Sequence, residues 1–219
     1  MAQVFHRSAN AAARASLVFV ALFIICLSAV LYAVGESPYY TGANEAKPQP
    51  VPFSHRHHAG ELGIDCRYCH SSVEVSPFAG LPPTQTCMTC HSQIWVGSPM
   101  LEPVRASYRE NKSLPWLRLN AVPDFVYFNH SIHVAKGIGC TTCHGPIGQM
   151  TITWRANTLY MHWCLDCHRQ PEKYIRPKSE VFDALYTPPE NQLELGKKLV
   201  AEYKVKNVTE ITSCGTCHR

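Results

Sequence analysis

Five copies of C-x-x-C-H, an uncharged apolar run of 18 residues near the N-terminus, and 16 Pro and 12 Gly among few charged residues together predict the fold class. The chain should consist mainly of short α-helices and loops packed around five covalently attached prosthetic groups, plus one N-terminal transmembrane helix. Eleven Cys and twelve His dominate its chemistry. A secreted disulfide protein could carry that many cysteines but has no reason to follow them with histidine.

The motifs are Cys66-Arg-Tyr-Cys69-His70, Cys87-Met-Thr-Cys90-His91, Cys140-Thr-Thr-Cys143-His144, Cys164-Leu-Asp-Cys167-His168 and Cys214-Gly-Thr-Cys217-His218, which use ten of the eleven cysteines. Two thiols three positions apart form thioethers with the two vinyl groups of one haem, and the adjacent His reaches its iron. Chance would supply on the order of a few hundredths of a match in such a chain. Zinc ribbons or disulfides are the alternative. Zinc needs pairs of C-x-x-C but not a His after each second Cys. The reading is therefore a multihaem cytochrome c with five haem c groups.

Leu17 to Val34 carries no charge and is long enough to cross a bilayer. Arg7 and Arg14 precede it and Glu36 follows, so the positive-inside rule puts residues 1–16 in the cytoplasm, an anchor at 17–35 and the remainder on the periplasmic side. A cleaved signal peptide is the rival reading. Its apolar region would be shorter and end in small residues, whereas Leu31-Tyr32-Ala33 opens on a large one. Cys26 lies inside the run as a small apolar residue, and Tyr39 and Tyr40 mark the interface. Residues 36–52 read as a linker, extended where three prolines fall within five residues.

Beyond the linker the first cysteines are spaced at intervals of 21, 53, 24 and 50 residues. Short and long alternate, which signals an internal repeat. Phe53-Ser-His55-Arg-His57-His58 precedes Cys66 by 13 residues, and Phe128-Asn-His130-Ser-Ile-His133 precedes Cys140 by 12. The haem domain at 53–219 thus divides into two-haem units at 53–127 and 128–175, with a fifth haem at 214–218.

Each F-x-H-x-x-H supplies candidates for the distal faces of two irons. Histidines at i and i+3 share one helical turn, about 5–6 Å apart at Cβ, so they cannot flank a single iron. They can each take a different iron and draw two haems together, with the Phe expected against a porphyrin edge. His70, His91, His144, His168 and His218 with His55, His58, His130 and His133 make nine of ten axial ligands. Met161, His162, His57, Met150 and Met100 are candidates for the tenth. A thioether there would raise that haem's potential above its bis-His neighbours.

PFSHRHHAGELGIDCRYCH, PPTQTCMTCHSQIW, VPDFVYFNHSIHVAKGIGCTTCHG and MHWCLDCHR together resemble the pentahaem cytochrome c subunit of bacterial alternative complex III, a quinol-oxidising respiratory complex. The resemblance covers nearly the whole chain. In that family the fourth motif reads M-x-W-C-x-x-C-H-R, which implies that Met161 occupies the recurring position and is the tenth ligand. It also implies an electron-transfer subunit with membrane quinol-oxidising partners, an iron–sulfur subunit, and a monohaem cytochrome c or terminal oxidase as acceptor. Saturated irons agree, having no open position for a substrate, so no independent catalytic site is expected. A multihaem reductase with one open haem, or a stand-alone anchored quinol dehydrogenase, are the other classes.

Porphyrins should form much of the core, with Trp95, Trp116, Trp154 and Trp163 packed against them or in the ordinary core. Residues 188–204 suggest one longer amphipathic helix. The formal charge of +4 is offset by about ten propionate charges, two per haem, so no nucleic-acid partner is expected. Arg67, Arg105, Arg118, Arg155 and Arg169 are candidate propionate partners.

Overall fold

The computed structural model describes residues 5–218 and divides into two units after Ala43. The first unit is built on helix α1, Ala9–Glu36, 28 residues with mean hydropathy 2.9 in its most apolar window and no buried side chain. At 1.5 Å per residue it is about 42 Å long, enough to cross a membrane. It begins eight residues before the expected anchor, because ANAAARAS consists largely of strong helix formers. Helix α2, Pro38–Thr41, follows and ends on Gly42 in the left-handed region.

In the second unit, residues 44–52 are extended as the prolines require, yet they are docked rather than free. The Asn44 amide donates to the Arg155 carbonyl, Ala46 pairs with Trp154, and Gln49 exchanges two hydrogen bonds with Leu117. Val51 enters a small core with Leu101 and Val104, flanked by Cys87, Met88, Leu114 and Trp116.

Short helices then carry the motifs: α3 (Cys66–Cys69), α4 (Thr84–His91), α5 (Glu102–Glu110), α6 (His130–Ala135), α7 (Cys140–His144), α8 (Met161–Arg169), α9 (Gln192–Glu202), α10 (Val208–Ile211) and α11 (Cys214–Cys217). Polar caps start several of them. Asp65 accepts from the Arg67 amide at 2.8 Å, Asn129 from Ser131 at 2.9 Å and Asn207 from Glu210 at 3.0 Å. Helix α9 falls inside the predicted 188–204 and packs on Pro171–Lys173 of its own unit. Gly196 permits that contact, since a Cβ there would meet the Glu172 carbonyl oxygen at 1.9 Å.

Among the described residues, the unit buries eight apolar side chains: Val51, Val73, Leu101, Val104, Met150, Ile175, Val181 and Leu199, of which only Met150, Ile175 and Val181 are fully buried. A domain of this length ordinarily removes about two-thirds of its surface from water. The aliphatic core is too small to do so alone, which fits a fold completed by porphyrins.

Candidate haem-binding sites

All five C-x-x-C-H motifs lie on helices α3, α4, α7, α8 and α11. Helical spacing sets the cysteines of each pair on neighbouring positions of one face. That geometry suits two thioether bonds to a single ring.

The two F-x-H-x-x-H segments are geometrical copies. Phe53 stacks on His58 at 4.4 Å and meets His55 edge-on at 4.9 Å; Phe128 stacks on His133 at 4.6 Å and meets His130 edge-on at 4.8 Å. The Phe was expected against a porphyrin edge. Its observed contacts are with both histidines, so it acts as a wedge fixing their ring planes. One difference separates the copies. The second is the α-helix α6, whereas Arg56–Glu61 is a π-helical turn in which the Leu62 amide bonds the His57 carbonyl. A π-turn holds one residue more per turn, and this accounts for the gap of 13 against 12 before the following cysteine.

The distal histidines face proximal ones from other segments. His58 lies 6.2 Å from His91, His130 lies 6.4 Å from His144 with planes 8° apart, and His133 lies 6.1 Å from His168 with planes 24° apart. An imidazole nitrogen binds a metal at about 2 Å and the ring radius is about 1.1 Å, so two rings on opposite faces of one iron have centroids about 6.3 Å apart. Three of the pairs therefore leave the span that a bis-imidazole iron fills. His55 is half-buried, and its imidazole is held down to about 4, first by loss of water around it and then by His70, His144 and His58. With His144 and His91 matched, His70 remains for His55.

Ring orientation provides a second fit test. Nδ1 of His58 lies against the Ser54 carbonyl, His70 against Gly80, His91 against Ile94, His130 against Pro77, His133 against Asn129, His168 against Ile211 and His218 against Phe125, all at 2.7–3.2 Å. A carbonyl can only accept, so Nδ1 carries the proton and Nε2 keeps its lone pair for a metal. His55 has the Thr153 hydroxyl at 2.9 Å instead. His57 differs in kind: its Nδ1 is engaged by the Glu61 carboxylate on the surface, beside Arg56.

Residues 126–219 match the family described as cytochrome c7 and related cytochrome c, and residues 34–113 match the class III cytochrome C family. The fold is that of a multihaem cytochrome c. The chain is also 39% identical, over 99 residues, to the menaquinone reductase, multiheme cytochrome c subunit, of Nitratidesulfovibrio vulgaris. That match covers 45% of this chain and 46% of the relative, so the chain spans about half the length of the protein it matches.

Most of the motif thiols in this chain lie where burial disfavours the thiolate. Burial pushes Cys143 up to about 12 and Cys167 up to about 11, each helped by neighbouring thiols, and it raises Cys69, Cys87, Cys164 and Cys217 as well. Zinc binds thiolates. Among the described residues no three His, Cys, Asp or Glu side chains gather as a metal-ligand set.

Candidates for the tenth ligand separate by burial. Met150 is fully buried in the protein core, which leaves its sulfur no open face. Met161 is 61% exposed at the start of α8, one turn before Cys164, whose thiol neighbours Cys217 of the fifth motif. His162 shares that turn and packs edge-on against Tyr160. Met100 is also exposed, beside α5.

The arginines largely have partners within the chain, contrary to their expected role. Arg67 pairs with Asp65 at 2.8 Å and lies over Phe182; Arg105 pairs with Glu102 at 2.8 Å. Arg155 holds the carbonyls of Asn157 and Thr158, and Arg118 lies over the Phe78 ring. The arginine that stands apart is Arg176, which sequence reasoning passed over because no motif marks it.

Proposed function

We propose that this cytochrome is the electron-transfer subunit of a membrane quinol:acceptor oxidoreductase of the alternative complex III type. The observation that carries the proposal is the set of three facing histidine pairs at 6.1–6.4 Å, which leaves no axial position for a substrate at those sites. Bound haem c supplies the redox-active iron, and short separations let electrons hop. His55 and His58 on one turn tie the first and second sites together, and His130 and His133 on another tie the third and fourth. Cys66 Sγ lies 3.4 Å from the Phe182 carbonyl oxygen and the Cys140 amide donates to the Val181 carbonyl, so adjacent residues of one segment join the first and third sites. His168 donates to Ile211, three residues before Cys214, and α10 lies against α8, which joins the fourth and fifth. The resulting order is 2–1–3–4–5, with the second and fifth sites as the termini of the path.

Helix α1 serves in this reading as a single-pass anchor with the haem unit on the periplasmic side. The partners are membrane quinol-oxidising subunits, an iron–sulfur subunit, and a monohaem cytochrome c or terminal oxidase. The matched region of the relative named as part of a menaquinone reductase supports the quinone class, and its name favours a second reading with electrons flowing toward quinone. Purification in mild detergent tests both. Large membrane partners, an iron–sulfur subunit and menaquinol-dependent reduction of an added cytochrome c are expected. Menaquinone reduction by a reduced donor, without the reverse activity, would move the assignment to the second reading; a solitary haemoprotein would overturn both.

A further inference from the structure

Arg176 is 4% exposed, and no carboxylate of the described residues forms an ion pair with it. Its Nη2 donates to Thr141 Oγ1 at 2.8 Å and Thr142 Oγ1 at 3.2 Å, both inside the Cys140–His144 motif. Nη1 reaches the Glu180 carbonyl only at 3.5 Å, the guanidinium lies over Tyr186 at 4.1 Å, and Nε has no partner. Space for it exists because position 139 is glycine: a Cβ there would stand 2.2 Å from Cζ and 2.4 Å from Nε. Gly139 is also the residue that opens α7.

The largest local effect, burial, opposes a cation here. Burial strips its water, the hydroxyl and carbonyl acceptors are neutral, and the N-terminus of a helix is the wrong end for positive charge. Glu180 and Asp183 are close enough to act through space, but Glu180 contributes only its backbone carbonyl and the Asp183 carboxylate accepts from the Leu185 amide. A buried cation with no ion pair to a carboxylate of the described chain is free to act on whatever is attached at the motif it touches. The group within its reach is the Cys140–His144 motif, which it touches through Thr141 and Thr142.

We propose that Arg176 is a positioning residue that sets the potential of the haem held by Cys140, Cys143 and His144, raising it by favouring the electron on its iron. The proposal rests on the reading of that motif as a haem site. In the order 2–1–3–4–5 this site follows the junction between the repeats, because Cys66 and Cys140 both contact residues 181–182. A raised potential there draws an electron from one repeat into the other.

Redox titration of the intact cytochrome followed by optical spectroscopy, with haem counted by pyridine haemochrome, tests this. In Arg176→Gln with all five haems attached, one of five components should fall, by on the order of a tenfold change in its reduction constant, about 59 mV for one electron. Arg176→Lys should stay near the wild type, and Asp183→Asn, which removes an opposing charge, should raise the same component. That component is assigned by His130→Met, which alters the axial pair of the third site alone. Fewer than five haems in the wild type would sink the site reading. Five haems with Arg176→Gln unmoved, or with Arg176→Lys falling equally, would sink the inference. Should Arg176→Gln not accumulate, Arg176→Met, which removes the charge and keeps an apolar stem over Tyr186, decides: a fall of the same component supports the field of Arg176, and no change overturns it.

Discussion

His130 and His144 lie ring to ring at 6.4 Å with planes only 8° apart, although 14 residues and a helix boundary separate them. His130 is also clamped by a hydrogen bond from Nδ1 to the Pro77 carbonyl at 2.7 Å. That bond leaves the Nε2 lone pair for a metal and fixes the ring by contacts within the chain.

His130→Ala should therefore leave five haems attached and turn one low-spin ferric iron high-spin. Electron paramagnetic resonance of the oxidised protein reads this directly. His58→Ala and His133→Ala should each do the same at a different iron, while His57→Ala should not. A low-spin spectrum unchanged in His130→Ala would refute the pairing.

Phe128→Ala removes the wedge that meets His130 edge-on and stacks on His133. Phe128 is 36% exposed, so the loss in stability should fall below the 3–5 kcal/mol of a buried Phe, at about 1–3 kcal/mol. The more diagnostic effect is broader paramagnetic signals from two haems at once. Leu at the same position should restore stability better than spectral sharpness.

Met161→Leu and His162→Leu discriminate the tenth ligand. With Met161 as ligand, its loss turns the fifth site high-spin, and His162→Leu leaves the spectrum alone. The opposite pattern would assign His162.

Gly196→Ala places a methyl group 1.9 Å from the Glu172 carbonyl oxygen, and backbone cannot swing aside as a side chain could. Overpacking of this kind costs about 1–3 kcal/mol. Thermal unfolding should show a lowered midpoint, with Gly97→Ala, which meets nothing within 4 Å, as the matched control.

The hydrogen bond and charge of Arg67 hold the Asp65 carboxyl below its ordinary value. A depressed folded value means that this group's stabilisation is present above its unfolded value of about 3.9 and is lost as pH falls through the lower folded one. Asp65→Ala also loses the cap on α3, so it should be less stable by about 1 kcal/mol at neutral pH. The gap between wild type and variant should narrow on acidification through the carboxylate range; a gap independent of pH would contradict the role given to the charge.

The motifs themselves were legible because they are local. Thiols three positions apart and a following His need one helical turn, and each of the five motifs forms one. The repeat was legible as a pattern, and even its irregularity had a sign in the sequence, the extra residue absorbed by the π-turn at Arg56–Glu61. The docking of residues 44–52 was not, since their bonds reach Leu117 and residues 154–155, far along the chain. The carboxylate partners of Arg67 and Arg105 stand two and three residues away, close enough to have been read.

By itself the sequence determined the five C-x-x-C-H motifs, the apolar helix, and the residues able to ligate, because these depend on residue type and on spacing within a turn. Only the tertiary structure decided which ring faces which. His58 meets His91, and His133 meets His168, across loops whose path no periodicity encodes. The same holds for Arg176, which acquires its surroundings from Gly139, Thr141 and Thr142 some 35 residues earlier. Burial of a charge is a property of everything packed around it, and no local stretch of sequence contains that.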